Sequence, residues 1–137
     1  MKIENLLFMI IDDDKDDCFF FREAIKDLEN NSLCMEANST EKALDTLRST
    51  IELPDFIFLD VNMPRLNGYC CLIELKKDNR LKHIPVIMYS TSFSEESVEE
   101  FQKLGASYCL IKPMDISTLP DQIMAAVEMA TQHIYRE

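Results

Sequence analysis

Apolar residues along the chain fall into two alternating patterns, short continuous runs and stripes at helical spacing. The first run, Leu6-Leu7-Phe8-Met9-Ile10-Ile11, is apolar on both faces and predicts a buried strand over 6–11. Phe21, Ala24, Ile25 and Leu28 then recur at i, i+3, i+4 and i+7, one stripe of a helix over roughly 16–29. A weaker strand over 33–37 comes next. Ser39 is placed to cap a following helix that carries Ala43, Leu44 and Leu47.

Pro54 punctuates the chain before a third strand, Asp55-Phe56-Ile57-Phe58-Leu59-Asp60. Asn67-Gly68 opens a helix with Cys71, Leu72 and Leu75 turned inward, and Pro85 precedes a fourth strand over 86–89. Ser94, with Glu95 and Glu96 in the first turn, caps a helix bearing Val98, Phe101 and Leu104, and Gly105 is its natural stop. A last strand over 108–111 and a helix with Ile123, Val127 and Ala130 after Pro120 complete the series. Five βα units without repeat or linker imply one doubly wound α/β domain, a parallel sheet with helices on both faces. Ligands in such sheets bind at the carboxyl ends of the strands.

Composition narrows the chemistry. The chain of 137 residues fits one domain, and 47% hydrophobic content is enough for a core. Its formal charge of −11 argues against direct nucleic-acid binding and suits cations or basic partner surfaces. Two glycines, Gly68 and Gly105, rule out both the dinucleotide fingerprint and the Walker phosphate loop. Five cysteines, odd in number and without a C-x-x-C pair, read as small hydrophobic thiols of a reducing compartment. The first apolar run is six residues long and ends in aspartates, too short for a membrane span or signal core, so a soluble cytoplasmic protein is expected. Eight methionines fit core filling, and the isolated His83 and His133 read as surface residues.

The strand ends carry the candidate chemistry. Strand one ends in Asp12-Asp13-Asp14, strand three in Asp60, strand four in Ser90-Thr91, and strand five runs into Lys112-Pro113. Asp14, Asp16 and Asp17 read as a solvated face, whereas Asp12, Asp13 and Asp60 directly follow or end buried strands. Two carboxylates about 4 Å apart repel by roughly 4 kcal/mol at an effective dielectric of 20. A Mg²⁺ ion reverses the sign of that interaction and accepts carboxylates, water and phosphate oxygens together. An aspartate attacking a phosphoryl group also needs positive charge on the transferring oxygens, which Mg²⁺ and Lys112 could supply.

On these residues the chain resembles a response-regulator receiver domain of two-component signalling, of the single-domain, chemotaxis-regulator-like kind. The matching pieces are Ile11-Asp12-Asp13, Leu59-Asp60-Val61-Asn62-Met63-Pro64 with Gly68 eight residues beyond Asp60, Pro85-Val86-Ile87-Met88-Tyr89-Ser90, Gly105-Ala106-Ser107 and Ile111-Lys112-Pro113. The resemblance implies a flavodoxin-like (βα)5 fold with strand order 2-1-3-4-5, filling 1–137 without an output domain. It implies that Asp60 accepts a phosphoryl group from a histidine kinase or phosphotransfer protein. Asp12, Asp13, Asp60 and the backbone carbonyl of Asn62 would hold Mg²⁺. Ser90 would move onto the phosphoryl group and Lys112 would pair with it, with a cis bond before Pro113. The protein is then a switch that catalyses only its own phosphorylation and dephosphorylation, with output through a downstream protein, without nucleic-acid contact or membrane insertion. One departure stands out: the family's usual Tyr or Phe three residues before the lysine is Cys109, and Tyr108 points to the opposite face.

Three rival readings compete. A calcium loop starting at Asp12 lacks the glycine required at its sixth position, which is Asp17. A haloacid-dehalogenase-like phosphatase needs Asp-x-Asp-x-Thr/Val, and Lys15-Asp16 breaks that motif. A pseudo-receiver that only binds partners would lack site residues that are present here.

Overall fold

The apolar runs form the strands, and the striped segments pack around them as helices. The computed structural model describes residues 4–134. The elements run β1 (Leu7–Ile11), α1 (Lys15–Asp27), β2 (Leu33–Ala37), α2 (Thr40–Ser49), β3 (Phe56–Asp60), α3 (Gly68–Lys77), β4 (Val86–Ser90), α4 (Glu95–Lys103), β5 (Tyr108–Ile111) and α5 (Leu119–Ile134), with a 3-10 turn at Ile116–Thr118. All pairings are parallel and the order is β2-β1-β3-β4-β5, as the resemblance implied. No described helix is long and apolar enough to cross a membrane.

The period of two along each strand divides the core into two layers. Phe8, Ile10, Phe56, Phe58, Ile87 and Tyr89 pack with residues of α1 and α5, whereas Met9, Ile11, Ile57, Leu59, Val86 and Met88 pack with α2, α3 and α4. The first layer is aromatic. Phe21 of α1 lies 4.9 Å from Phe58 and 6.0 Å from Tyr89, ring centroid to ring centroid. Such pairs contribute about 0.5–1.5 kcal/mol each beyond their buried area. They also fix the ring of Tyr89 at the carboxyl end of β4.

Helix ends follow local side-chain chemistry. Asp14, Ser39, Asn67 and Ser94 each accept backbone N–H bonds as N-caps of α1, α2, α3 and α4. The stripe predicted α1 to reach 29, but the helix ends at Asp27 with Leu28 as its cap. Glu29, at φ 51°, already lies in the left-handed region, which breaks the hydrogen-bond ladder. At the end of α4, Gly105 N–H donates to Gln102 O and Ala106 N–H to Phe101 O, the paired bonds of a Schellman cap, with Gly105 at φ 105°. α5 begins at Leu119, so Pro120 sits inside its first turn, where a missing N–H breaks no helical bond.

Gly68 has a role beyond opening α3. A Cβ there would lie 2.6 Å from the Asp60 carbonyl oxygen and 2.8 Å from Val61 Cα, and Gly68 N–H donates to Val61 O at 3.0 Å. The first turn of α3 thus rests directly on the backbone that follows β3. Gly68→Ala is expected to lower stability by about 1–3 kcal/mol, because both colliding atoms are main-chain and cannot rotate away. Thermal denaturation checks this, and an unchanged midpoint would show that α3 withdraws freely.

Candidate functional site

Strand order reverses between β1 and β3, and the crevice at that point receives Asp12 from the end of β1 and Asp60 from the last position of β3. Asp12 is 0% and Asp60 4% exposed, while Asp13 faces solvent. One carboxylate oxygen from each of Asp12, Asp13 and Asp60 lies within 4.8 Å of the others. These three carboxylates, with Asp14, Asp17, Asn62, Thr91 and Lys112, line a cleft of about 490 Å³.

Each group is held by its own turn. The Asp12 carboxylate accepts the N–H of Asp14 at 2.9 Å, and Asp14 in turn accepts those of Asp16 and Asp17 at 2.9 and 3.1 Å, starting α1. The Asn62 N–H donates to Asp60 Oδ1 at 3.4 Å. Lys112 is fixed at its backbone, where its N–H donates to Ser90 O at 2.7 Å. Its ammonium lies 2.8 Å from Asp17 Oδ2, 2.9 Å from Asp12 Oδ2 and 3.4 Å from Asp60 Oδ1. The Tyr89 ring centroid is 5.2 Å from the same nitrogen, within cation–π range. The bond before Pro113, expected to be cis, is trans, and no described peptide bond is cis. The trans form is the intrinsically favoured one, by about 0.5–1 kcal/mol for an X–Pro bond.

Five carboxylates line the cleft with one ammonium, which contacts three of them, and leave it strongly negative. Burial pushes the Asp12 carboxyl up to about 6, against the opposing pull of the Asp14 N–H and Lys112. Burial likewise raises Asp60, with Lys112 opposing it. Burial alone would lower Lys112, but its bonds to Asp17 and Asp12 prevail and hold it above the usual lysine range. An all-oxygen donor set of clustered carboxylates open to solvent suits a hard cation such as Mg²⁺, so the residues present fit one.

The structure brings together Asp12, Asp13, Asp60 and Lys112, with exposed Asn62 at the cleft wall. Ser90 is 2% exposed behind that wall, where its hydroxyl accepts the Ser92 N–H at 3.5 Å, and Thr91 is the hydroxyl residue that lines the cleft. Asp17, expected on a solvated face, makes the shortest contact to Lys112. Its signal was present: Asp17 stands four residues before Phe21 and so begins the inward stripe of α1. Tyr89 also escaped the strand-end reading because it looks like ordinary core. Cys109 packs with the α2–α4 layer and Tyr108 with the α1–α5 layer, on opposite faces as expected. The thiols of Cys18, Cys34 and Cys71 are pushed up to about 12 by burial, which fits packing and not reactivity. His83 is exposed, and the side chain of His133 lies outside the described residues. Residues of the supposed calcium loop from Lys15 onward are helical, which removes that rival.

A parallel α/β domain with an acidic, cation-ready cleft at its switch point is the class these features define. The response regulator receiver domain family matches residues 8–124, and the chain belongs to that family. It is 28% identical over 124 residues to the chemotaxis protein CheY-3 of Vibrio cholerae serotype O1, spanning 88% of this chain and 90% of that protein. It is 30% identical over 135 residues to the transcriptional regulatory protein ZraR of Escherichia coli, spanning 98% of this chain but 28% of ZraR. Among solved structures, the phosphorylated cyanobacterial phytochrome response regulator RcpA matches with a TM-score of 0.82 and 26% identity, over 93% of this chain and 94% of that one. The family is a signalling receiver, not a conventional enzyme.

Carboxyls whose folded pKa is raised cost stability once the pH exceeds their unfolded value. Without metal, stability contributed by the buried pair therefore falls as pH rises from about 4 through about 6, the Asp12 value. Asp60→Asn removes one of these charges and is expected to stabilise the metal-free protein at pH 7.5. The variant should also flatten the fall between pH 4 and about 6. Urea denaturation in EDTA at several pH values measures both, and a less stable variant at pH 7.5 contradicts the charge argument.

Proposed function

We propose that this receiver domain is a Mg²⁺-dependent phosphoacceptor in two-component signalling, taking a phosphoryl group onto Asp60 from a histidine kinase or phosphotransfer protein. The supporting observation is the meeting of Asp12, Asp13 and Asp60 oxygens within 4.8 Å, beside the Lys112 ammonium. On this reading a carboxylate oxygen of Asp60 attacks phosphorus, the P–N bond to the donor histidine breaks, and its electron pair returns to the imidazole. Asp12, Asp13, Asp60 and the Asn62 carbonyl would hold Mg²⁺, which supplies positive charge to the transferring oxygens. Lys112 orients the phosphoryl group and neutralises part of its charge. Ser90 donates a hydrogen bond to it once the loop after β4 shifts. Asp60 must be ionised to attack, and Lys112 opposes the effect of burial there.

The protein then works in the cytoplasm as a switch that catalyses only its own phosphorylation and dephosphorylation. Output passes through a downstream protein that distinguishes the two states. The net charge of −11 favours a basic partner surface over nucleic acid.

Incubation with acetyl phosphate and Mg²⁺ is expected to place one phosphoryl group per chain, and Asp60→Asn to abolish it. Intact mass spectrometry reads the outcome, and undiminished label in the variant overturns the assignment. Asp13 is exposed, so Asp13→Ala should leave the metal-free thermal midpoint unchanged. The same variant is expected to weaken Mg²⁺ affinity by about tenfold or more, ~1.4 kcal/mol. Titration of the midpoint with Mg²⁺ tests this; a large loss of metal-free stability would instead make Asp13 a structural residue.

A further inference from the structure

We propose that Asp17 is a positioning residue that holds the Lys112 ammonium off Asp60 and so restrains phosphorylation, a role that rests on Asp60 being the acceptor. Lys112 has three N–H donors and faces three carboxylates. Two contacts, to Asp17 at 2.8 Å and Asp12 at 2.9 Å, have ordinary hydrogen-bond lengths. The third, to Asp60 Oδ1 at 3.4 Å, does not. The ammonium therefore rests nearer to the first turn of α1 than to the acceptor.

The rest position is built in at both ends. Asp14 caps α1 through the N–H groups of Asp16 and Asp17, which sets where the Asp17 side chain emerges. Lys112 is anchored by its backbone bond to Ser90, and the Tyr89 ring 5.2 Å away limits how far the ammonium can descend. Only the flexible four-carbon stem is left to move. A phosphoryl group on Asp60 adds negative charge and strong acceptor oxygens, and draws the ammonium across the cleft. That movement exchanges the Asp17 contact for the phosphoryl contact. Asp17 thus subtracts from what Lys112 contributes to phosphoryl transfer.

A plain charge effect must be separated from this competition, since any anion near the cleft repels an anionic donor. Asp16 provides the control: it lies in the same turn, carries the same charge and is exposed, whereas the Lys112 ammonium pairs with Asp12, Asp17 and Asp60. With acetyl phosphate and Mg²⁺, Asp17→Asn is expected to raise the initial labelling rate about three- to tenfold, and Asp16→Asn to stay within about twofold of the unaltered chain. Asp17→Glu, which keeps the carboxylate on a longer stem, is expected to restore the slower rate. Equal rates in the two Asn variants overturn the proposal, as does an Asp17→Glu protein as fast as Asp17→Asn. Absence of label in every protein, the unaltered chain included, overturns the Asp60 assignment and this proposal with it.

Discussion

The shortage of positive charge in the cleft is the constraint on which the rest of the structure depends. Asp12 and Asp60 are delivered to the switch point by two strands whose side chains are almost wholly buried, and both line the floor of the cleft with almost no exposed surface of their own. Repulsion between such groups is of the order of several kcal/mol at close range, against a total stability of ~5–15 kcal/mol for a domain of this size. The aromatic layer between the sheet, α1 and α5 supplies rigid packing beneath this point, and Lys112 offsets part of the charge from above. The ground state is thus held together with an electrostatic cost concentrated where a cation and a phosphoryl group are proposed to act. That concentration couples occupancy of the cleft to the stability of the domain.

The fold was legible because its signals are local and repeated. Continuous apolar runs mark strands buried on both faces, and Ser39, Asn67 and Ser94 announce helix starts through their own side-chain oxygens. The acidic site was legible for a related reason: Asp12 and Asp60 interrupt buried runs, where an unpaired carboxylate is costly. Asp17 was less visible, since its partner Lys112 is remote in sequence and only the sheet order from β1 through β3 and β4 to β5 brings α1 near it. The end of α1 depends on a left-handed Glu29, a residue type with no preference for that conformation. The isomer of the bond before Pro113 follows from neither composition nor spacing.

Cys109 borders a surface groove and not the acidic cleft. Beside Cys109 and Tyr108 lies a groove of about 500 Å³ between α4 and β5, also lined by Phe93, Val98 and exposed Ile111. Phe93 stands three residues beyond Ser90 and meets Phe101 edge-on, with ring centroids 6.1 Å apart. The bulky group nearest the strand-end loop is therefore carried by the loop itself. A shift at Ser90 has a short covalent path to this surface, independent of position 109.

The contact between Gly68 and the Asp60 carbonyl joins main chain to main chain. Side chains elsewhere on α3 take no part in it. The outward positions of that helix can consequently diverge under selection for new partners while the carboxylate beneath keeps its place. A single missing methyl group lets the helix seat itself on the strand end through backbone alone.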